Sequence, residues 1–429
     1  MKWRNQLLAL CCLLVFLALG VLYFKKWVVQ KPFGIILFIG EGLDPARLAI
    51  TRIYAADAVT PLSIDSLAHA ALLKNYSADS TTPDRAAAAS ALATGTKGKN
   101  GAVGLDVDGK SLQNLLELAR ESGRMTGLVT DVPVTSPTAA AFYAHSKTTD
   151  DRQSLARELV ENGAIDVVLG GGGADFLPSD QGGKRTDALN LIQKLQSDGY
   201  DVVQNADDLE DIPRWRRAKL FGLFSPTELA YADDDVDHAI QPTLAAMVRR
   251  GIELLQFNRA GYLLIVDAGL MHKAARRNDA DRTLLETMEL DRAVAVALEY
   301  AGNRSMILVC GDVAVGGMAL NGFAPREASG GIWWGAELGQ GPALTWATGP
   351  NGPKSPAPAR AEMPEPADNV TGAEETSAPE MLLEPAATFA AKARENVADV
   401  IALGSGPGAE ALHGVLENTR IFEIIQDNL

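Results

Sequence analysis

The stretch Thr82-Pro-Asp-Arg-Ala-Ala-Ala-Ala-Ser-Ala-Leu-Ala-Thr-Gly95 puts a charge at the start of a helix, and chemistry could begin there. Asp84 is a good N-cap, and Ala86 to Leu92 is a run of strong helix formers with small side chains. The first turn of such a helix presents unpaired N–H groups and a positive dipole end, which suits an anion. Arg85 adds a guanidinium at that point. Ser80, Thr81 and Thr82 lie just upstream and offer hydroxyls as nucleophiles, although turn and capping roles are the commoner use of such residues. Further carboxylates follow apolar runs: Glu41 after Gly34-Ile-Ile-Leu-Phe-Ile-Gly40, Asp267 after Tyr262-Leu-Leu-Ile-Val266, and Asp312 after Met306-Ile-Leu-Val-Cys-Gly311. Open α/β sheets place their sites at such strand ends.

The elements that must position these groups read clearly. The apolar runs are strands buried on both faces, as in a parallel sheet. Helices are expected over Ser111–Ser122 and Arg152–Asn162, and strands over Met125–Thr130 and Ile165–Leu169. Strands and helices alternate, so the fold class is α/β, a mostly parallel central sheet with helices on both faces. Gly170 to Gly173 lack the Lys-Ser/Thr tail of a phosphate loop and read as a tight strand exit. The acidic run Asp233 to His238 reads as a solvated loop.

Leu7 to Phe24 is an unbroken apolar run with Lys2 and Arg4 before it and Lys25 and Lys26 after it. It is long enough to span a bilayer, so residues 1–31 read as an N-terminal membrane anchor, with residues 7–24 the contact to the membrane. The main domain is expected over 32–352 and 395–429. Residues 353–394, rich in Pro, Ala and Glu, read as a flexible insert. A net charge of −15 argues against nucleic acid as a partner. The three cysteines, Cys11, Cys12 and Cys310, make no disulfide framework and read as buried, inert thiols.

The stretch around Arg85 resembles the nucleophile segment of the alkaline phosphatase family, Asp-Ser-Ala-Ala-Ala-Ala-Thr-Ala-Leu-Ala-Thr-Gly. Thr135 to His145, Asp267 to Asp291, Met306 to Gly322 and Asp399 to Thr419 are similar to further motifs of that family in the same order. The resemblance implies an alkaline-phosphatase-like fold lying outside the cytoplasmic membrane. It also implies roles by position. Arg85 stands at the nucleophile, and Glu41 at a metal-bridging Asp. Thr138 and Asp267 take magnesium ligands. His272, Arg276 and Val313 take zinc ligands, Asp312 is retained, and Thr149 replaces a phosphate-binding arginine that nearby Arg152 misses by three residues. The last zinc histidine aligns with Asn351 or Glu395.

Hydrolysis by this family requires a hydroxyl nucleophile, two zinc ions and a phosphate-binding arginine. None of the five histidines falls on a zinc-histidine position. The former metal and phosphate site is therefore Glu41, Asp84, Arg85, Thr138, Asp267, His272, Arg276 and Asp312, with the zinc pair expected absent. Glu41, Thr138 and Asp267 keep the oxygen chemistry of a single Mg²⁺. Crowded carboxylates without a metal would repel and take up protons, and a guanidinium supplies compensating charge. Two function classes follow. One is a membrane-anchored pseudophosphatase that binds an anionic ligand; the alternative is a metal-dependent phosphomonoester hydrolase with an atypical site.

Overall fold

The computed structural model describes residues 2–23, 32–55, 61–161, 165–214, 218–236, 240–302, 304–321, 343–354 and 384–429. In chain order the strands are β1 (Gly34–Gly40), β2 (His69–Lys74), β3 (Met125–Pro133), β4 (Val167–Gly171), β5 (Asp201–Val203), β6 (Leu220–Leu223) and β7 (Tyr262–Ala268). They continue with β8 (Met306–Gly311), β9 (Ala319–Asn321), β10 (Ala343–Gly349), β11 (Ala386–Phe389), β12 (Val400–Ser405) and β13 (His413–Glu417). Ten of them form one sheet in the order β13-β2-β12-β8-β1-β7-β3-β4-β6-β5. Its pairings are parallel except at β12, which runs antiparallel to both β8 and β2.

The apolar runs become the centre of that sheet because both faces are covered. Ile35, Leu37 and Ile39 of β1 enter one core cluster and Ile36 and Phe38 the other, so every side chain of the strand is buried. Alternation by two therefore produces a continuous apolar run. Register then aligns the strand ends. Gly40 pairs with Ala268 on one side and Gly311 on the other, and Asp267 pairs with Ile39 and Thr130. Glu41, Asp267 and Asp312 thus leave neighbouring strands at one level.

Several local expectations change. The helix expected from Ser111 begins at Leu115, because Asn114 and Glu117 form a reciprocal capping box that fixes the start. Strand Ile165–Leu169 is shifted to β4, whose glycines let the chain pass close to its neighbour: a Cβ on Gly171 would meet the Thr227 carbonyl at 2.1 Å. The insert reaches too far in the expected boundaries. Residues 386–389 are β11, paired parallel with β10 in a separate three-stranded sheet, since Trp346 and Ala386 bury each other in a small apolar cluster. Residues 355–383 of the insert lie outside the described residues.

The N-terminal run is helical over Lys2–Tyr23, but the expected membrane span is unsupported. Among the described residues no helix is long and apolar enough to cross a membrane, and Phe24 lies outside them. Cys11 and Cys12 correct the expectation of buried thiols. Both are exposed on that helix, while Cys310 is buried in β8 and burial pushes its pKa up.

Candidate functional site

Asp84 caps the helix Arg85–Thr94 as its type predicts, accepting from the Ala87 N–H at 2.9 Å. Its second oxygen accepts from Gly101 N–H at 2.6 Å, so this carboxylate ties a loop to the helix start. Arg85 points the other way. Its Nη1 donates to Glu41 Oε2 at 2.9 Å, and Glu41 is fully buried. Burial works against the Arg85 charge, but Glu41 outweighs it, with Asp312 and Asp267 adding, and its pKa lies above the ordinary value.

The other two carboxylates are held differently. Asp312 Oδ1 accepts from Gly42 N–H at 2.8 Å and Val313 N–H at 2.5 Å. Asp267 Oδ2 accepts from Thr130 Oγ1 at 3.0 Å and Ser136 Oγ at 3.3 Å. Burial, then the Glu41 charge, pushes Asp312 up to about 8; the same causes in the same order put Asp267 well above the usual carboxylate range. Both carboxyls therefore hold a proton more readily than an ordinary carboxyl does, and the contact of Arg85 goes to Glu41. One oxygen of each acid, Glu41 Oε1, Asp267 Oδ1 and Asp312 Oδ2, is buried without a hydrogen bond, as is Thr138 Oγ1.

Arg47 is a second guanidinium at this end of β1, and the sequence reading missed it. It is fully buried, donating from Nη1 to the Glu41 carbonyl at 3.2 Å and from Nη2 to the Val315 carbonyl at 3.4 Å. Burial lowers its pKa, against the Asp44 and Asp312 charges. Gly42, at φ +85°, makes room: a Cβ there would lie 2.5 Å from Arg47 Nη1. The only sequence signal is its place beside Leu48 and Thr51 on the buried face of the helix Pro45–Ala55.

His272 and Arg276 come from the short helix Leu270–Ala275 and the residue after it. Arg276 donates to Glu395, not to the strand-end carboxylates. His272 sits between two acids, with Nδ1 3.7 Å from Glu41 Oε2 and Nε2 3.5 Å from Glu395 Oε1. Burial, then the Arg85 charge, pulls His272 down to about 4, so the ring is neutral. Burial pushes Glu395 up, but its contact with His272 and the Arg276 charge outweigh that and hold it at about 2. The aligned alternatives separate here. Glu395 joins the site, whereas Asn351 donates to the Glu384 carbonyl elsewhere.

The donor set does not fit a zinc pair. A guanidinium and a valine have no lone pair for a metal, and they stand at Arg85, Arg276 and Val313. Among the described residues no group of three or more His, Cys, Asp or Glu is arranged to hold a metal ion. A cavity of about 330 Å³ opens beside Arg85, Ser136, His272 and Arg276. Arg152, which alignment alone sets three residues away from a phosphate contact, lines it as well. The remaining sequence candidates lie apart. Ser77 to Ser80 closes a turn, with the Ser77 N–H donating to the Ser80 carbonyl and Thr82 N–H to Ser80 Oγ. Asp233 and Asp234 pair with Arg282, and His238 lies outside the described residues.

The family model described as alkaline phosphatase matches residues 34–429. Alkaline phosphatase H of Pseudomonas aeruginosa is 31% identical over 333 residues, which is 66% of this chain and 70% of that protein. The tissue-nonspecific isozyme of alkaline phosphatase from Gallus gallus is 27% identical over 340 residues, 68% of this chain and 65% of its own length. An alkaline phosphatase of Schizosaccharomyces pombe is 27% identical over 327 residues, and there the match spans 72% of this chain and 60% of the relative, so the chain spans less than two thirds of the chicken and yeast proteins. Among solved structures, the alkaline phosphatase of the Antarctic bacterium TAB5 superposes with a TM-score of 0.70 at 17% identity, covering 93% of this chain and 98% of its own. That of Thermus thermophilus gives 0.71 at 20%, covering 94% and 92%. These superpositions speak to the fold, and the family match to descent: the chain belongs to the alkaline phosphatase family.

Proposed function

We propose that this chain is a pseudophosphatase, an alkaline-phosphatase fold that binds an anionic ligand without hydrolysing it. The observation that carries the reading is the Arg85–Glu41 pair. A guanidinium stands at the helix start where a hydroxyl would have to attack, and it bonds to the acid that a metal would otherwise claim. Phosphoryl transfer depends on an activated nucleophile and on positive charge at the developing oxyanion. Arginine supplies charge but no nucleophile. The expected result is no hydrolysis of an aryl phosphate above background by the purified chain, with or without added Zn²⁺ and Mg²⁺. Arg85→Ser alone should not restore it, because the donors that would activate the serine are still missing. Turnover that depends on zinc and is abolished by a chelator would refute the proposal.

The second reading, a metal-dependent phosphomonoester hydrolase with an atypical site, has an observation of its own. Glu41, Thr138 and Asp267 each keep a buried oxygen without a hydrogen bond, and hard cations such as Mg²⁺ take oxygen ligands. These residues would hold the ion, which would supply charge to a phosphate oxygen. Metal content of the purified chain separates the readings: one tightly held magnesium per chain, together with turnover, favours the second.

For location, we propose that residues 7–24 tether the domain to a membrane, with the domain on the outer side. Support comes from the apolar side chains Leu10, Leu13, Leu14, Phe16 and Leu17, all exposed on the N-terminal helix. Protease added to intact spheroplasts should remove the domain, and full protection would defeat this.

A further inference from the structure

The chain carries a net charge of −15, yet the charged residues around one cavity are almost all of the opposite sign. Arg85, Arg152, Lys273, Arg276, Arg277 and Lys392 border the space of about 330 Å³ described above, against a single carboxylate, Glu228. Half of these cations already have partners: Arg85 with Glu41, Arg276 with Glu395, and Lys273 with Glu228. Among the described residues Arg152, Arg277 and Lys392 have no ion pair. Arg152 and Arg277 also crowd Lys273, whose ammonium is held below its ordinary pKa by burial first and then by their two charges. Like charges gathered around a cleft repel one another and focus a positive field into it. Arg152, Arg277 and Lys392 are exposed, so the field draws an anion from solution to the mouth of the cleft.

Two parts of the wall can be told apart. One part is Arg85 and Arg276, tied to buried Glu41 and half-buried Glu395, with neutral His272 between the two acids. The other is Arg152, Arg277 and Lys392, beside Lys273. A single phosphate at the first part would leave Arg152, Arg277 and Lys392 unpaired. Arginines favour planar, two-point contact with phosphate oxygens, so unpaired ones on a wall suit a second phosphate. The volume is at the lower end of small-molecule sites, which suits a compact ligand.

We propose that this cavity binds a small molecule bearing two or more phosphate groups, one beside Arg85 and Arg276 and another held by Arg152, Arg277 and Lys392. The proposal rests on the reading of the site as an anion-binding pocket and adds the ligand's charge and size.

Isothermal titration of the purified full chain with orthophosphate, inorganic pyrophosphate and a hexose bisphosphate tests it. At least one two-phosphate probe should bind tighter than orthophosphate by about tenfold, one decade of affinity. Which probe wins tells whether the phosphates are adjacent or carbon-spaced, and either preference supports the proposal. The double substitution Arg152→Ala with Arg277→Ala should weaken the two-phosphate probes far more than orthophosphate and so abolish the preference. If that variant fails to fold, Lys392→Gln should lower the two-phosphate affinity and weaken its salt dependence. Equal affinity for all three probes, or a preference surviving these substitutions, overturns the proposal. Phosphate released from the probes during titration would count against the non-hydrolytic reading and leave this one standing.

Discussion

Two clusters of buried carboxylates meet near Asp131, and they manage the same problem in different ways. At the strand ends a guanidinium, Arg85, bonds to Glu41, while Asp267 takes hydroxyls and Asp312 backbone N–H groups. Burial with the Glu41 charge raises the pKa of both aspartates. Beside a smaller cavity of about 110 Å³, Asp131, Glu286 and Glu289 are served mainly by backbone. Asp131 Oδ1 accepts from the Gly269 and Leu270 N–H groups at 2.7 and 3.1 Å, Glu286 from Ala232 N–H at 2.7 Å, and Glu289 from Ala245 N–H at 3.1 Å. Arg292 pairs with Glu289 at 3.0 Å, but its side chain is 54% exposed. Burial first, opposed by those N–H groups, sets Asp131 at about 7, and burial then Asp131 sets Glu286 at about 8. Backbone donors satisfy a carboxyl without adding a charge. An inserted arginine instead compensates a buried charge with its own, and so it becomes a structural dependency.

The largest test of that difference is Arg85→Ala. It leaves Glu41 buried with its counter-ion gone and should cost roughly 3–5 kcal/mol in thermal or denaturant unfolding. An unchanged melting temperature would break the comparison. A smaller effect should come from pH. Asp131 and Glu286 bind their protons more tightly folded than unfolded, so the stability they contribute is fully present below the unfolded carboxylate range. It is lost as pH rises toward about 7 for Asp131 and about 8 for Glu286. Glu286→Gln should flatten unfolding free energy against pH by on the order of 1–3 kcal/mol between acid and pH 8. A wild-type curve that rises over that window would contradict the assignment.

Thr130→Val removes a hydroxyl donor from Asp267 while keeping the shape, with an expected loss of about 1 kcal/mol read by equilibrium unfolding. No loss would mean that Asp267 is indifferent to this bond. The smallest effect belongs to Arg292→Ala. An exposed ion pair contributes ~0–1 kcal/mol, so its melting temperature should stay close to wild type. A drop approaching that of Arg85→Ala would show that the second cluster depends on its arginine as much as the first.

Legibility in the sequence followed the range of the interaction. The central strands, the Asp84 cap and the strand-end positions of Glu41, Asp267 and Asp312 were all readable, because each depends on neighbours in the chain. Position 85 was readable too: an arginine at a helix start needs an acid, and Glu41 and Asp312 were the acids to hand. The expected contact forms with Glu41, while Asp312 takes backbone N–H groups instead. Asn114 with Glu117 was readable as a capping box and was overlooked. Arg47 was not, since only the packing of β1 against its helix shows that the guanidinium turns inward.

By itself, then, the sequence determined the parallel sheet, the order of its motifs and the arginine at the helix start, position 85. Local propensity and alternation suffice for those. Tertiary structure alone decided that Arg276 takes Glu395, 119 residues away, and not the strand-end acids. It also decided that β11 belongs to the fold and that Arg152 faces the same cavity as Arg85. The physical reason is common to all three: such contacts are fixed by sheet register and by which buried charge lacks a partner, and neither quantity is written in any short stretch of residues.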